Sequence, residues 1–106
     1  MKEKHNLSYL KELSDGDEVF EKKLIDILKA ELPEEIEEYQ HNIHSNSLSL
    51  VAENVHKLKH KISILGLEKS YEIASDYEKN LKLDCLDLQV EFEGILKNMV
   101  EILKKV

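Results

Sequence analysis

His56 and His60 stand four residues apart, with Lys57, Lys59 and Lys61 around them, in a chain that is otherwise acidic. Imidazole is the side chain best suited to act as a neutral nucleophile near pH 7. Ammonium groups beside it favour the unprotonated ring and attract a phosphoryl group. In outline this is a phosphoryl-acceptor site. The same two histidines admit a second chemistry. At i, i+4 they share a helix face and could chelate a transition metal, with Glu53 one turn earlier as a third ligand. The lysines oppose a dication and no carboxylate is evident to orient the ligands, so no metal is assigned. A third reading is a helical adaptor without phosphate chemistry, because an exposed helical histidine is ordinarily just a solvated residue.

Positioning these groups requires a helix with a buried stripe. Leu48, Val51, Val55, Leu58, Ile62 and Leu65 recur in steps of three and four, and Gly66 is a natural stop, so the spacing predicts a helix from just after Ser47 to Gly66. At about 100° per residue, His56 falls roughly 130° from the centre of that stripe and faces water. His60 lies one turn later on the same outer face, with Lys59 on one flank and Lys57 and Lys61 on the other. Leu50 and Ile64 are expected to be exposed beside that face and to add apolar contact to a partner.

The remaining elements follow from the same periodicity. Leu7, Tyr9, Leu10 and Leu13 predict a short first helix, closed by Ser14, Asp15 and Gly16, that caps the end of the main body. Asp17 is a suitable N-cap for a long second helix carrying Phe20, Leu24, Ile27, Leu28, Leu32, Ile36, Tyr39 and Ile43, and ending near His44 to Asn46. Pro33 should bend that helix without dividing it, since the stripe continues beyond it on the same face. A fourth helix is predicted from about Glu68 to Leu81, with Tyr71, Ile73, Ala74, Tyr77 and Leu81 inward. A fifth runs from about Leu86 to Lys105 on Leu88, Phe92, Ile95, Leu96, Met99, Ile102, Leu103 and Val106. Short connections oblige neighbouring helices to reverse direction. The expected fold is therefore all-α, an antiparallel up-down-up-down four-helix bundle with a short N-terminal capping helix, in a single domain over residues 1–106. His5, His41 and His44 read as surface residues, and Cys85 as incidental.

Composition narrows the partners. The 15 basic residues, all lysines, against 22 acidic ones leave a formal charge of −7, which argues against a nucleic-acid backbone or an anionic membrane. A single cysteine makes no internal disulfide and no cysteine-rich zinc site, so a cytoplasmic location is the default. Met1 to Asn6 is polar and charged with no apolar run behind it, which gives no sign of a signal peptide or membrane span. No glycine-rich phosphate loop or kinase motif occurs, so self-phosphorylation from ATP is not expected.

The run His56-Lys57-Leu58-Lys59 followed by Leu65-Gly66 resembles the histidine-containing phosphotransfer (HPt) domain of bacterial phosphorelays. The family pattern is histidine, any residue, leucine or similar, lysine, a small residue, and glycine ten places after the histidine. Further likeness lies in Leu7-Ser8-Tyr9-Leu10, Ser14-Asp15-Gly16-Asp17, Glu31-Leu32-Pro33 and Tyr77-Glu78, so most of the chain is covered. His60 departs from the pattern, standing where the family usually has glycine, and Lys61 replaces a small residue. The resemblance implies that His56 takes a phosphoryl group from an aspartyl phosphate on a receiver domain of a hybrid sensor kinase and passes it to the receiver of a response regulator. It further implies Nε2 as the reacting nitrogen and Lys59 as the cation nearest the transferred oxygens. At His60, where the sequence departs from the family, either the partner tolerates the added bulk or the imidazole contributes a hydrogen bond to those oxygens. Lys57 and Lys61 would attract the acidic pocket of the receiver. The magnesium would belong to the receiver and the chain would need no cofactor of its own. A diffusible monomeric relay is the expected form.

Overall fold

The structure, a computed structural model, describes residues 3–106. Met1 and Lys2, and the part of the N-terminal reading that rests on them, lie outside the described residues. Five helices follow in order: α1 (Ser8–Leu13), α2 (Glu18–His44), α3 (Leu48–Ile64), α4 (Glu68–Lys82) and α5 (Gln89–Lys105), with no strand among the described residues. None of these helices is long and apolar enough to cross a membrane.

Local chemistry sets the boundaries. The Asp17 carboxylate accepts from the amides of Val19 and Phe20 at 3.0 and 3.3 Å, satisfying two donors that the first turn of α2 leaves unpaired. Pro33 sits inside α2 without ending it, and Leu28, Leu32 and Tyr39 stay buried on both sides of it. Gly66 adopts the left-handed conformation (φ 71°), and the Leu67 amide turns back to the Ile62 carbonyl at 3.2 Å, closing α3. α5 begins at Gln89, later than the expected Leu86, because Leu86 and Leu88 form a tight turn in which Leu88 itself takes a positive φ of 78°.

The long helices close a ring: α3 packs on both α2 and α4, and α5 on both α4 and α2, while α1 rests on α2. Val51, Val55, Leu58 and Ile62 of α3 are fully buried. They meet Leu28, Leu32 and Tyr39 from α2, Ala74, Tyr77 and Leu81 from α4, and Phe92, Met99 and Leu103 from α5. Burial of each large apolar side chain contributes about 1.5–3 kcal/mol, which identifies this stripe as what holds α3 in place. The three buried rings of Tyr39, Phe92 and Tyr77 contact one another, and the Tyr39 and Tyr77 hydroxyls share a hydrogen bond of 2.8 Å. Burial, with the Tyr77 hydrogen bond and the nearby Glu93 carboxylate, pushes the Tyr39 hydroxyl far above the ordinary phenol range. Between α2 and α3, Asn42 donates to Asn54 at 2.6 Å, pairing two amides that are both buried.

Two expectations about the core are corrected. Phe20 and Ile27 are exposed. α2 has 27 residues, about 40 Å of helix, against 17 in α3. Since Asn42 lies opposite Asn54 and Glu31 opposite Lys61, the first turns of α2 run past the end of α3, where they have mainly α1 beside them. Tyr71, expected inward, is exposed at the α4 surface, and only Tyr77 of that pair is buried.

An N-terminal strap crosses the α3–α4 turn. The Asn6 amide donates to the Leu65 carbonyl at 2.9 Å, and the Glu3 carboxylate accepts from the Lys69 and Ser70 amides and from the Ser70 hydroxyl. Asn98 of α5 donates to the Glu3 carbonyl, so the strap reaches the far side of the bundle.

Candidate functional site

α3 carries the candidate residues, and its buried stripe determines where each one points. His56 is exposed, with 59% of its side chain accessible. Its Nδ1 lies 3.3 Å from Oε2 of Glu78, on the neighbouring α4. Against a carboxylate oxygen the favourable arrangement has a proton on Nδ1, and that leaves the Nε2 lone pair free for solvent. Sequence reasoning stressed the lysines around this imidazole. The structure adds an anion in contact with it.

Glu78 is nearly buried and collects three partners: His56, Lys59 at 3.0 Å and Lys82 at 3.3 Å, the last being one turn further along α4. Its Oε1 makes an ion pair with Lys59 rather than an aligned hydrogen bond. Burial alone would push the Glu78 carboxyl up, but Lys59 first, then Lys82 and His56, outweigh it and hold the group below the usual carboxylate range. Glu78 is therefore ionised at neutral pH.

The three lysines of α3 separate by angle. Lys59 stands about 75° from the centre of the buried stripe and Lys61 about 85° on the opposite side, so both lie at its edges, whereas Lys57 faces outward. Lys59 bends toward α4, pairing with Glu78 and placing its ammonium 5.3 Å from the centroid of the Tyr71 ring. Lys61 bends toward α2. It was expected on the outer face as an attractor for a partner, but it is buried between Glu31, at 3.1 Å, and Glu35, and clamps α3 to α2. Burial lowers the tendency of this ammonium to stay charged, but the two carboxylates more than restore it, leaving Lys61 above the ordinary lysine range. Lys57 is exposed, as is His60. The His60 ring meets that of His56 edge-on, with centroids 5.5 Å apart.

Beside His56 a groove of roughly 790 Å³ runs between α2, α3 and α4, lined by His56, Lys57 and Glu78 and by Leu50 near the start of α3. Leu50 is exposed at its edge. Ile64, expected to be exposed as well, is only half-exposed because it packs against the core where α3 ends. No group of three or more histidine, cysteine or acidic side chains among the described residues could hold a metal ion, and the chelate reading of His56 and His60 gains no support. The residues that sequence reasoning missed are Glu78 and Lys82. Their signal is weak: they reach His56 only because α4 packs on α3.

Searches among curated proteins and among solved structures returned no significant match. The model of one family, the Hpt domain, matches residues 23–105, a span that takes in α3, α4 and α5 whole and most of α2. It includes His56, Lys59 and Glu78 and covers most of the chain, and so the protein belongs to the Hpt domain family, the phosphotransfer modules of two-component signalling.

Proposed function

We propose that this protein is a phosphocarrier in which His56 accepts a phosphoryl group from an aspartyl phosphate on a receiver domain and passes it to the receiver of a response regulator. The observation that carries this reading is the placement of His56 within the family match: an outward-facing imidazole whose Nδ1 is engaged by Glu78, leaving Nε2 toward solvent. In-line transfer asks the acceptor side for a positioned nucleophile and for charge neutralisation. His56 Nε2 is the nucleophile. Lys59, already held at the edge of the site by Glu78 and Tyr71, is the cation closest to the incoming oxygens. His60, edge-on to His56, adds a hydrogen-bond donor to the same oxygens. Lys57 and Leu50 meet the receiver, which brings the magnesium. Lys61 has no part in docking because its charge is spent on Glu31 and Glu35.

The cross-helix pairs Asn42–Asn54 and His56–Glu78 fit an antiparallel up-down-up-down order in one domain. The protein is proposed to act as a monomer in the cytoplasm of a bacterium, without autokinase activity. The test is incubation with a phosphorylated receiver domain, comparing wild type with His56→Gln. An acid-labile, base-stable adduct in wild type that is lost in His56→Gln supports the assignment. An adduct that survives the substitution shifts it to another histidine, and no adduct at all leaves a helical adaptor.

A further inference from the structure

His60 differs from the lysines around it in one respect: no partner within the protein fixes its charge. Its ring is exposed and meets that of His56 edge-on, with centroids 5.5 Å apart. Among the described residues it has no carboxylate within ion-pair distance and no hydrogen-bond partner. At four residues' separation it stands only about 40° around α3 from His56 and one turn along, whereas Lys57 stands about 100° away.

The charges near this ring come from three elements. On α3 itself, Lys57, Lys59 and Lys61 act against a proton on His60 in the unloaded protein. From α2, Glu31 and Glu35 are held by Lys61, and Glu38 lines the groove beside His56. From α4, Glu78 is engaged with His56, Lys59 and Lys82. Beyond Ser63, Glu12, Glu68 and Glu72 line a separate hollow. Lys59, Lys61 and Lys82 are therefore already partnered, while His60 is left to respond to whatever charge arrives at its neighbour.

That charge is large. A phosphoryl group brings three acceptor oxygens and up to about two negative charges. As Nε2 of His56 forms the N–P bond and the P–O bond of the donor breaks, these oxygens are set down next to the His60 ring. We infer that His60 takes up a proton from solvent as His56 is phosphorylated, meets the oxygens as an imidazolium, and gives the proton back to solvent when the N–P bond breaks in onward transfer. The inference rests on the proposed role of His56 and specifies the form in which His60 acts. Its consequence is a proton-coupled carrier. The phosphorylated state binds the extra proton, so a fall in pH shifts the phosphoryl equilibrium from the receiver toward this protein.

The first measurement uses the full wild-type chain, unloaded and then kept loaded by excess phosphoramidate, a small donor whose P–N bond breaks to release ammonia. Histidine ¹⁵N NMR follows each ring from about pH 5.5 to 9. The His60 midpoint should rise by roughly one pH unit on loading, since solvent screens part of the attraction at an exposed site. An unmoved or lowered midpoint overturns the inference, leaving His60 as bulk that the partner tolerates and the phosphocarrier reading intact. The second measurement is the equilibrium distribution of the phosphoryl group between a receiver domain and this protein, for wild type and His60→Gln. Glutamine donates a hydrogen bond but takes up no proton, and the receiver's own pH dependence cancels in the comparison. From about pH 8.5 to 6 the wild-type distribution should shift toward the protein up to roughly tenfold more than that of the variant. Parallel profiles overturn the inference. If wild type takes no phosphoryl group on His56, the phosphocarrier reading fails first and this inference fails with it.

Discussion

At the scale of single residues, angle around α3 separates lysines that proximity in sequence groups together. Lys57, Lys59 and Lys61 alternate along the chain, yet one faces solvent, one pairs with α4 and one pairs with α2. Lys59→Ala should slow phosphoryl transfer by roughly 10²-fold, the usual effect of removing one charge-stabilising donor, as measured by rapid-quench transfer from a phosphorylated receiver. Because Lys59 is the main partner of Glu78, the same variant should let the Glu78 carboxyl rise toward its ordinary value, which carboxyl ¹³C titration would follow. Lys61→Met should leave transfer rates within about twofold while lowering stability, since it strands two carboxylates beside α2, and urea unfolding against transfer kinetics would separate the two effects. His56 and Lys59 were legible because their chemistry and spacing lie within one turn of one helix. Glu78 was not, because its relation to His56 exists only after two helices pack.

At the scale of elements, Gly66 has two independent reasons to lack a side chain. It holds a positive φ that ends α3, and a Cβ built there would stand 2.1 Å from the Asn6 carbonyl oxygen in the overlying strap. Gly66→Ala should therefore cost about 1–3 kcal/mol or displace the strap, a result read from denaturant unfolding and from amide exchange at Leu65 and Ser70. The stop signal was readable in the sequence, whereas the strap above it was not, since nothing local ties Asn6 to Leu65. The strap carries its own pH dependence. Burial raises the Glu3 carboxyl, but the Lys69 amide and the Ser70 hydroxyl and amide more than offset it, so its folded value is below the usual one. A depressed carboxyl stabilises above its unfolded value and loses that contribution as pH falls through the folded one. Protection of the Lys69 and Ser70 amides should thus decline below about pH 4.5 in wild type and lose this dependence in Glu3→Gln, as hydrogen exchange would measure. The buried Asn42–Asn54 pair gives a further expectation: Asn54→Leu alone strands an amide and should destabilise by about 1–3 kcal/mol, while Asn42→Leu with Asn54→Leu should recover most of the loss.

At the scale of the whole molecule, a chain of charge −7 exposes Lys57 and Lys82 beside its candidate nucleophile. A local cationic patch on an acidic body favours a partner with an acidic pocket and disfavours extended polyanions. Association with a receiver should slow several-fold as ionic strength rises from about 0.05 to 0.5 M, and Lys57→Glu should remove much of that salt dependence, as read from stopped-flow association rates. The shape of the molecule matters too. Because the first turns of α2 outrun α3, the apolar side chains of Phe20 and Ile27 stay accessible there, and the sequence pattern that reads as continuous core belongs to a helix longer than its neighbours.

Helix type, the buried stripe of α3 and the outward direction of His56 follow from local spacing, because a period of 3.6 residues places side chains without reference to other helices, while the family is legible in the identities of His56, Lys59 and Gly66 and their neighbours. What the tertiary structure decided is which charges meet. Lys59 and Lys61 stand at the two edges of one stripe, and their partners lie on α4 and α2, tens of residues away along the chain. Periodicity can bring a side chain to the rim of a groove, but only packing determines which carboxylate waits on the other side.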